Sequence, residues 1–426
     1  MSLADRLKED LIEAGRIGRK PPKRIERYDQ LSSDTGVTRV AGTEENRALN
    51  EFAVQRMRDA SLIVQVDRIG NIFGRREGRR TGSGTVICGS HLDSVVNGGM
   101  FDGALGVFSA IEAIRRMNDE GFENERPLEV VVFTGEEGSA FKQTLLGSSV
   151  LTGKTELDAA LNMKNGDGVT LREALEKIGY AGSLQRSLDD VEYMVELHVE
   201  QGPVLYEENI PIGIIENITG IAWIFVTIQG QENHAGTTPM GMRKDALVAA
   251  SEVVSFLNRR VKDALHEFGG SPVGTVGSLT VSPNSTNVVP GKVTMGIDIR
   301  DVKMMNIEKI RNDVLEIIKA LEKRYGVETS VHFPVTHRPT PLSSEVADTL
   351  ERASRRMGIP TRRMNSGAGH DSQNMAEKVK TGMIFVPSIN GISHSPMEWT
   401  EWEDVEKGAK VLTEALKDLS RLSTGT

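Results

Sequence analysis

A single cysteine, Cys88, stands among 426 residues. That excludes an intrachain disulfide and fits a reducing compartment. Cys88 lies inside an apolar strand-like run, which makes it a buried structural thiol and not a nucleophile. No stretch is long and apolar enough to span a bilayer. The opening Met1-Ser-Leu-Ala-Asp-Arg is charged and has no apolar signal core. No basic stripe is present, and a net charge of -9 argues against a nucleic-acid or anionic-membrane surface. Internal repeats, low-complexity tracts and coiled-coil heptads are also missing. These absences leave a soluble cytoplasmic protein with neither nucleic acid nor membrane as a partner.

What is present is an ordinary globular composition, 38% hydrophobic and 26% charged, in a chain long enough for two domains. The N-terminal part alternates strand and helix signals. Glu44 to Ala60 reads as a helix with Thr43 as its N-cap, and Gly103 to Met117 as another. Between them lie a hairpin-like Ile69-Gly-Asn-Ile-Phe-Gly and an apolar strand ending at His91. The alternation predicts an α/β domain, a mixed sheet flanked by helices.

Near Pro211 the pattern changes. Ile214 to Gln229 reads as one long strand and Lys244 to Leu265 as a helix. Thr275 to Val281 and Gly291 to Asp301 read as strands, Ile307 to Tyr325 as an amphipathic helix and Glu328 to Phe333 as a last strand. The order βαββαβ is that of a ferredoxin-like module. It predicts a domain over 213–335 inserted into a discontinuous domain made of 1–212 and 336–426.

Chemistry-bearing residues gather after apolar runs, where sites form in open α/β sheets. His91-Leu-Asp93 ends one run. Side-chain alternation places both residues on one side. His91 suits a metal, while Asp93 would hold its second ring nitrogen or the backbone around it. Asp102, in a Gly-rich turn, can bridge two cations or cap a helix. Glu136 and Glu137 follow Val130-Val-Val-Phe. In an extended chain they point opposite ways, so one can ligate while the other serves as a general base. His198 ends a further run and His394 sits in Gly391-Ile-Ser-His-Ser-Pro. A lone histidine at either place would be structural, but their joint occurrence suits a divalent metal site. Arg300, at a strand end, can clamp a carboxylate through two bonds.

With these residues in view, the chain resembles the amidohydrolase branch of the dinuclear-metal aminoacylase and aminopeptidase family. That branch holds N-carbamoyl-L-amino acid hydrolases, β-ureidopropionases and allantoate amidohydrolases. The resemblance runs from about Arg27 to the last helix. It is carried by Gly-Ser-His91-Leu-Asp93-Ser, Gly-Gly-Met-Phe-Asp102-Gly, Glu136-Glu137-Gly-Ser-Ala-Phe, Glu196-Leu-His198-Val-Glu-Gln201-Gly, Asn233-His234-Ala-Gly-Thr-Thr-Pro-Met and Ser366-Gly-Ala-Gly-His370-Asp.

The resemblance implies a metallo-aminopeptidase-like catalytic domain with an inserted dimerisation and lid domain, a homodimer through that domain, and two divalent metal ions per subunit. His91 and His198 would hold one ion, Glu137 and His394 the other, and Asp102 would bridge. Zinc or manganese is expected, and cobalt or nickel also suits the donors. Glu136 would be the general base and Asp93 the residue orienting the ligands. His234, from the partner subunit, would polarise the scissile carbonyl. Gln201, Asn287, Arg300, Gly369 and His370 would surround a ureido acid substrate. The apolar Ile221-Ala222-Trp223 favours an N-carbamoyl-L-amino acid. Allantoate is the alternative, and an aminoacylase or aminopeptidase substrate comes after it.

Overall fold

The computed structural model describes residues 3–80, 82–141 and 143–421. They fall into two compact units, one of residues 1–216 with 341–426 and one of residues 217–340.

In the larger unit a nine-stranded sheet runs Ile63–Val66, Ile72–Arg76, Leu128–Phe133, Thr85–His91, Val191–Val199, Lys380–Val386, Ile212–Ile218, Thr340–Pro341, with Thr361–Ser366 also paired to Ile212–Ile218. The sheet is mixed. Thr85–His91 is parallel to both Leu128–Phe133 and Val191–Val199, and Lys380–Val386 is parallel to Val191–Val199. Ile63–Val66 and Ile72–Arg76 form the antiparallel hairpin expected around Gly70. Every residue of Thr85–His91 and Leu128–Phe133 is buried, as parallel strands covered on both faces require. The covering helices include Ala104–Asp119 and Trp402–Leu419, which pack on each other. Thr43 caps the helix Glu44–Asp59, its side chain accepting the Asn46 N–H. Because the parallel strands share one direction, His91, Glu136, His198 and the chain leading to His394 all emerge at one end of the sheet.

The smaller unit is a four-stranded antiparallel sheet ordered Glu328–His337, Gly220–Gln229, Lys292–Asp301, Val273–Ser282. The helices Ala246–Phe268 and Met304–Tyr325 supply its other layer. Ala222, Ile224, Val226 and Ile228 alternate into a core shared with Val293, Met295, Ile297 and Ile299.

One sequence expectation needs correction. Ile214 to Gln229 is not one strand: Ile212–Ile218 and Gly220–Gln229 belong to different sheets. The first pairs with Lys380–Val386 and is buried on both faces along Ile212–Ile215; the second pairs with Lys292–Asp301 and alternates. Both are apolar, so composition does not mark the break. The compact units divide at 217 and 340. No helix among the described residues is long and apolar enough to cross a membrane.

Candidate metal centre

The site forms where the parallel strands end. Gly103 turns the chain from Asp102 into the helix Ala104–Asp119 with φ +64°. A Cβ there would stand 2.5 Å from the His91 ring, so only glycine lets Asp102 and His91 approach. The Asp102 Oδ1 atom lies 3.2 Å from His198 Nε2 and 3.5 Å from His91 Nε2. Its Oδ2 atom lies 3.4 Å from His394 Nε2, which is also 3.4 Å from Glu137 Oε2. Asp102 thus turns one oxygen to a pair of imidazoles and the other to an imidazole and a carboxylate.

The far side of each inner ring is fixed. His91 Nδ1 is 3.0 Å from the Asp93 carbonyl oxygen, and His198 Nδ1 is 2.9 Å from that of Val199. A proton held there leaves each Nε2 lone pair facing Asp102, the orientation a cation needs. His91, Asp102 and His198 have ligand atoms within 4.8 Å of one another, as do Asp102, Glu137 and His394. Glu137 Oε1 is buried and accepts no hydrogen bond. An orphaned carboxylate oxygen beside converging imidazoles fits a divalent cation.

Electrostatics agrees. Burial alone would raise the Asp102 carboxyl, yet hydrogen bonds from His198, His394 and His91 hold it well below the usual range. Burial would lower His91, but the charges of Glu136, Asp102 and Asp93 raise it well above an ordinary histidine. His394, hydrogen-bonded to Asp102, is pushed up to about 9. Protons gather on these imidazoles because carboxylates surround them, and a cation between the same atoms displaces such protons.

Asp93 hydrogen-bonds the backbone and acts on the His91 ring only through its charge, Oδ1 lying 3.8 Å from Nδ1. Its Oδ1 and Oδ2 atoms accept the Glu136 and Glu137 N–H groups, each at 3.1 Å. Glu136 Oε2 stands 3.8 Å from His91 Nε2. Burial, with the charges of Glu137, Asp371 and Asp93 adding and His91 opposing, raises Glu136 well above the usual carboxyl range. Burial and the Asp102 charge push Glu137 up to about 7.

Gln201 reaches the centre from φ +58°, its amide donating to Asp102 Oδ2 at 3.0 Å and lying 3.3 Å from His394 Nε2. His370 is buried against His198, ring centroids 4.7 Å apart, with Nε2 2.9 Å from Ser366 Oγ. Burial holds it well below the ordinary histidine value, so it is a neutral ring. Gly369 precedes it, half-buried. His234, Asn287 and Arg300 belong to the smaller unit. His234 Nδ1 accepts the Gly236 and Thr237 N–H groups at 3.0 and 3.2 Å, which leaves the proton of a neutral ring on Nε2. His234 pairs with Val288 across a two-stranded ribbon, next to Asn287. The Arg300 guanidinium meets Asp298 through two 2.9 Å bonds, and Trp223 Nε1 donates to the same carboxylate at 2.8 Å.

Two buried residues escaped the sequence reading. Glu398 accepts the Phe101 and Asp102 N–H groups, and Arg39 lies within electrostatic reach of Glu398, Asp102 and Asp93. Neither carries a sequence signal, since each is a single charged residue in a loop.

The family model for peptidase family M20/M25/M40 matches residues 87–418. An N-carbamoyl-L-amino acid amidohydrolase of Geobacillus stearothermophilus is 36% identical over 425 residues, covering 99% of this chain and all of that protein. An allantoate amidohydrolase of Bacillus subtilis is 34% identical over 391 residues, 91% of this chain and 94% of its own. Among solved structures, a hydantoinase/carbamoylase family amidase from Burkholderia multivorans superimposes with a TM-score of 0.91 at 36% identity, covering 99% of this chain and 98% of its own. The donor set at the strand ends and these full-length matches agree: the chain belongs to peptidase family M20/M25/M40.

Proposed function

We propose that this chain is a metal-dependent amidohydrolase that cleaves N-carbamoyl-L-amino acids to the amino acid, ammonia and carbon dioxide. The observation that carries the reading is Asp102, with two imidazoles on one oxygen and His394 on the other, beside a buried Glu136. Relatives of that name cover 97–99% of the chain.

Two divalent ions, zinc or manganese, fit the donors: His91 and His198 for one, Glu137 and His394 for the other, Asp102 shared. When bound they supply Lewis acidity, acidifying water and polarising a carbonyl. Glu136 takes the proton from the attacking water and returns it to the leaving nitrogen. Carbamate then decomposes to ammonia and carbon dioxide. Asp93 holds Glu136 and Glu137 in place through their backbones. His234 donates from Nε2 to the carbonyl oxygen as negative charge develops there. Asn287 and Arg300 hold the substrate carboxylate, and Gln201, Gly369 and His370 flank the ureido group. The smaller unit acts as a ferredoxin-like lid and dimerisation module, and His234 serves the site of the partner subunit.

The test is ammonia release from protein stripped of metal and reloaded with manganese or zinc. N-carbamoyl-L-amino acids and allantoate are offered side by side. Metal-dependent release from the carbamoyl amino acid is expected. Release from allantoate alone would replace the substrate and keep the mechanism. Allantoate is the second reading because the Bacillus subtilis relative carries that name. Silence on both substrates, with metal bound, would reject both.

Two residues of the smaller unit give further predictions. Arg300→Ala is expected to raise KM about 10-fold or more for carbamoyl amino acids, since a charge-assisted bidentate pair contributes about 1.5–3 kcal/mol. An equal loss on a neutral carbamoyl amide would remove the carboxylate clamp. Mixing His234→Ala with Glu136→Gln subunits is expected to restore activity in heterodimers, because one site of each pair regains both groups. No recovery after subunit exchange would place His234 at its own subunit's site.

A further inference from the structure

Two of the ligands, Asp102 and His394, come from loops far apart in the chain. One buried side chain touches both loops. Glu398 is 1% exposed. Its Oε1 atom accepts the Phe101 N–H at 3.1 Å and the Asp102 N–H at 3.0 Å. Its Oε2 atom accepts the Ser393 hydroxyl at 2.7 Å, one residue before His394. Ser393 Oγ is in turn 3.4 Å from Asp102 Oδ2. Arg39, within electrostatic reach, is fully buried, and its Nε and Nη2 atoms have no hydrogen-bond partner.

The backbone at Gly99 runs too close to this side chain to carry one of its own. A Cβ on Gly99 would lie 2.1 Å from Glu398 Oε1, 2.2 Å from its Cδ and 2.5 Å from its Cβ. No positive φ accounts for this glycine, since Gly99 is not among the residues with that conformation. What excludes a side chain at 99 is the space that Glu398 fills.

We infer that Glu398 is a positioning residue for the metal centre: its carboxylate clamps the Asp102 loop to the His394 loop and so sets the spacing of the shared ligand from the outer one. Burying a carboxylate is costly unless charge-assisted hydrogen bonds and a nearby cation compensate it. Here three donors offset part of that cost, with Arg39 within electrostatic reach, while burial and the Asp102 charge still oppose the ionised form. The loops also meet through apolar packing, Phe101 against Trp399 with centroids 5.3 Å apart. The fold therefore does not depend on Glu398 alone, while the Asp102 backbone is held by its carboxylate.

The inference rests on the metal-centre reading above, and its test separates the two. Affinity for zinc and manganese is measured by competition with a chromogenic chelator on full-length wild type, Glu398→Ala, Glu398→Gln and Gly99→Ala. The visible absorption of each cobalt-loaded protein reports ligand geometry. Glu398→Ala is expected to lose about 10–100-fold in affinity, the usual effect of removing a group that orients a ligand, and to change the cobalt spectrum. Glu398→Gln keeps an oxygen for the two N–H groups and is expected to recover most of the affinity. Gly99→Ala displaces the carboxylate and is expected to resemble Glu398→Ala. Wild-type affinity and spectrum in Glu398→Ala would overturn the clamp. Should Glu398→Ala fail to fold, Gly99→Ala against Glu398→Gln decides in the same way. A wild type that binds no divalent cation would overturn the metal centre and the clamp together.

Discussion

Glu136→Gln is expected to lower kcat by about 10²–10⁴-fold, the usual contribution of a positioned general base, while metal content and KM stay near wild type. The substitution keeps shape and size, and the amide still fits beside His91, where Glu136 Oε2 stands 3.8 Å from Nε2. What it removes is the ability to take a proton from water and return it to nitrogen. The ligand set survives because Asp93 accepts the backbone N–H groups at 136 and 137, not the side chain. Steady-state kinetics with metal stoichiometry on the same sample checks this. A kcat within a few-fold of wild type would take the base role away from Glu136. Parallel loss of metal would make Glu136 a ligand, which its 4.8 Å grouping with His91 and Glu137 would then explain.

The sequence reading was strongest where one physical rule acts alone. Residues that follow all-apolar runs sit at strand ends, and parallel strands bring those ends together, so His91, Glu136, Glu137 and His198 were legible as neighbours before any coordinates. The smaller unit was legible because its strands alternate: Ala222, Ile224, Val226 and Ile228 face its core. The break at Thr219 was not. Ile212–Ile218 and Gly220–Gln229 are both β-rich, and the choice of sheet is made by partners about 170 and 70 residues further along the chain, Lys380–Val386 and Lys292–Asp301. Asp93 shows a finer limit. Alternation put it beside His91, but which atom it holds depends on where Gly135, at φ +66°, sends the next two residues. Glu398 and Arg39 were invisible for a further reason. A buried charge in a loop resembles a solvated one until its donors, here the backbone N–H groups of Phe101 and Asp102, are known.

Asp102→Ala is expected to abolish turnover and to remove the protein's thermal response to metal. A cation that binds only the folded state stabilises it by RT ln(1 + [L]/Kd), about 2.7 kcal/mol at a hundredfold excess over Kd. Wild type should therefore melt higher when zinc or manganese is added after chelation, and more so as the concentration rises. Asp102 touches both halves of the donor set, 3.2 Å from His198 on one oxygen and 3.4 Å from His394 on the other. Its loss leaves each half with two donors, too few to compete with water for a divalent ion at ordinary concentrations. The metal-free forms respond differently. In wild type Asp102 helps the imidazoles of His91, His198 and His394 attract protons, with Glu136 adding at His91 and Glu137 at His394. Without the carboxylate these pairs vanish, and with them the stability they lend below the raised histidine values. Chelated wild type should accordingly lose more stability than chelated Asp102→Ala as pH rises through about 9, where His394 releases its proton. Calorimetry of both proteins, with chelator and with metal, measures all four states. An Asp102→Ala variant that keeps the full metal-dependent shift in Tm would show that the ions are held elsewhere.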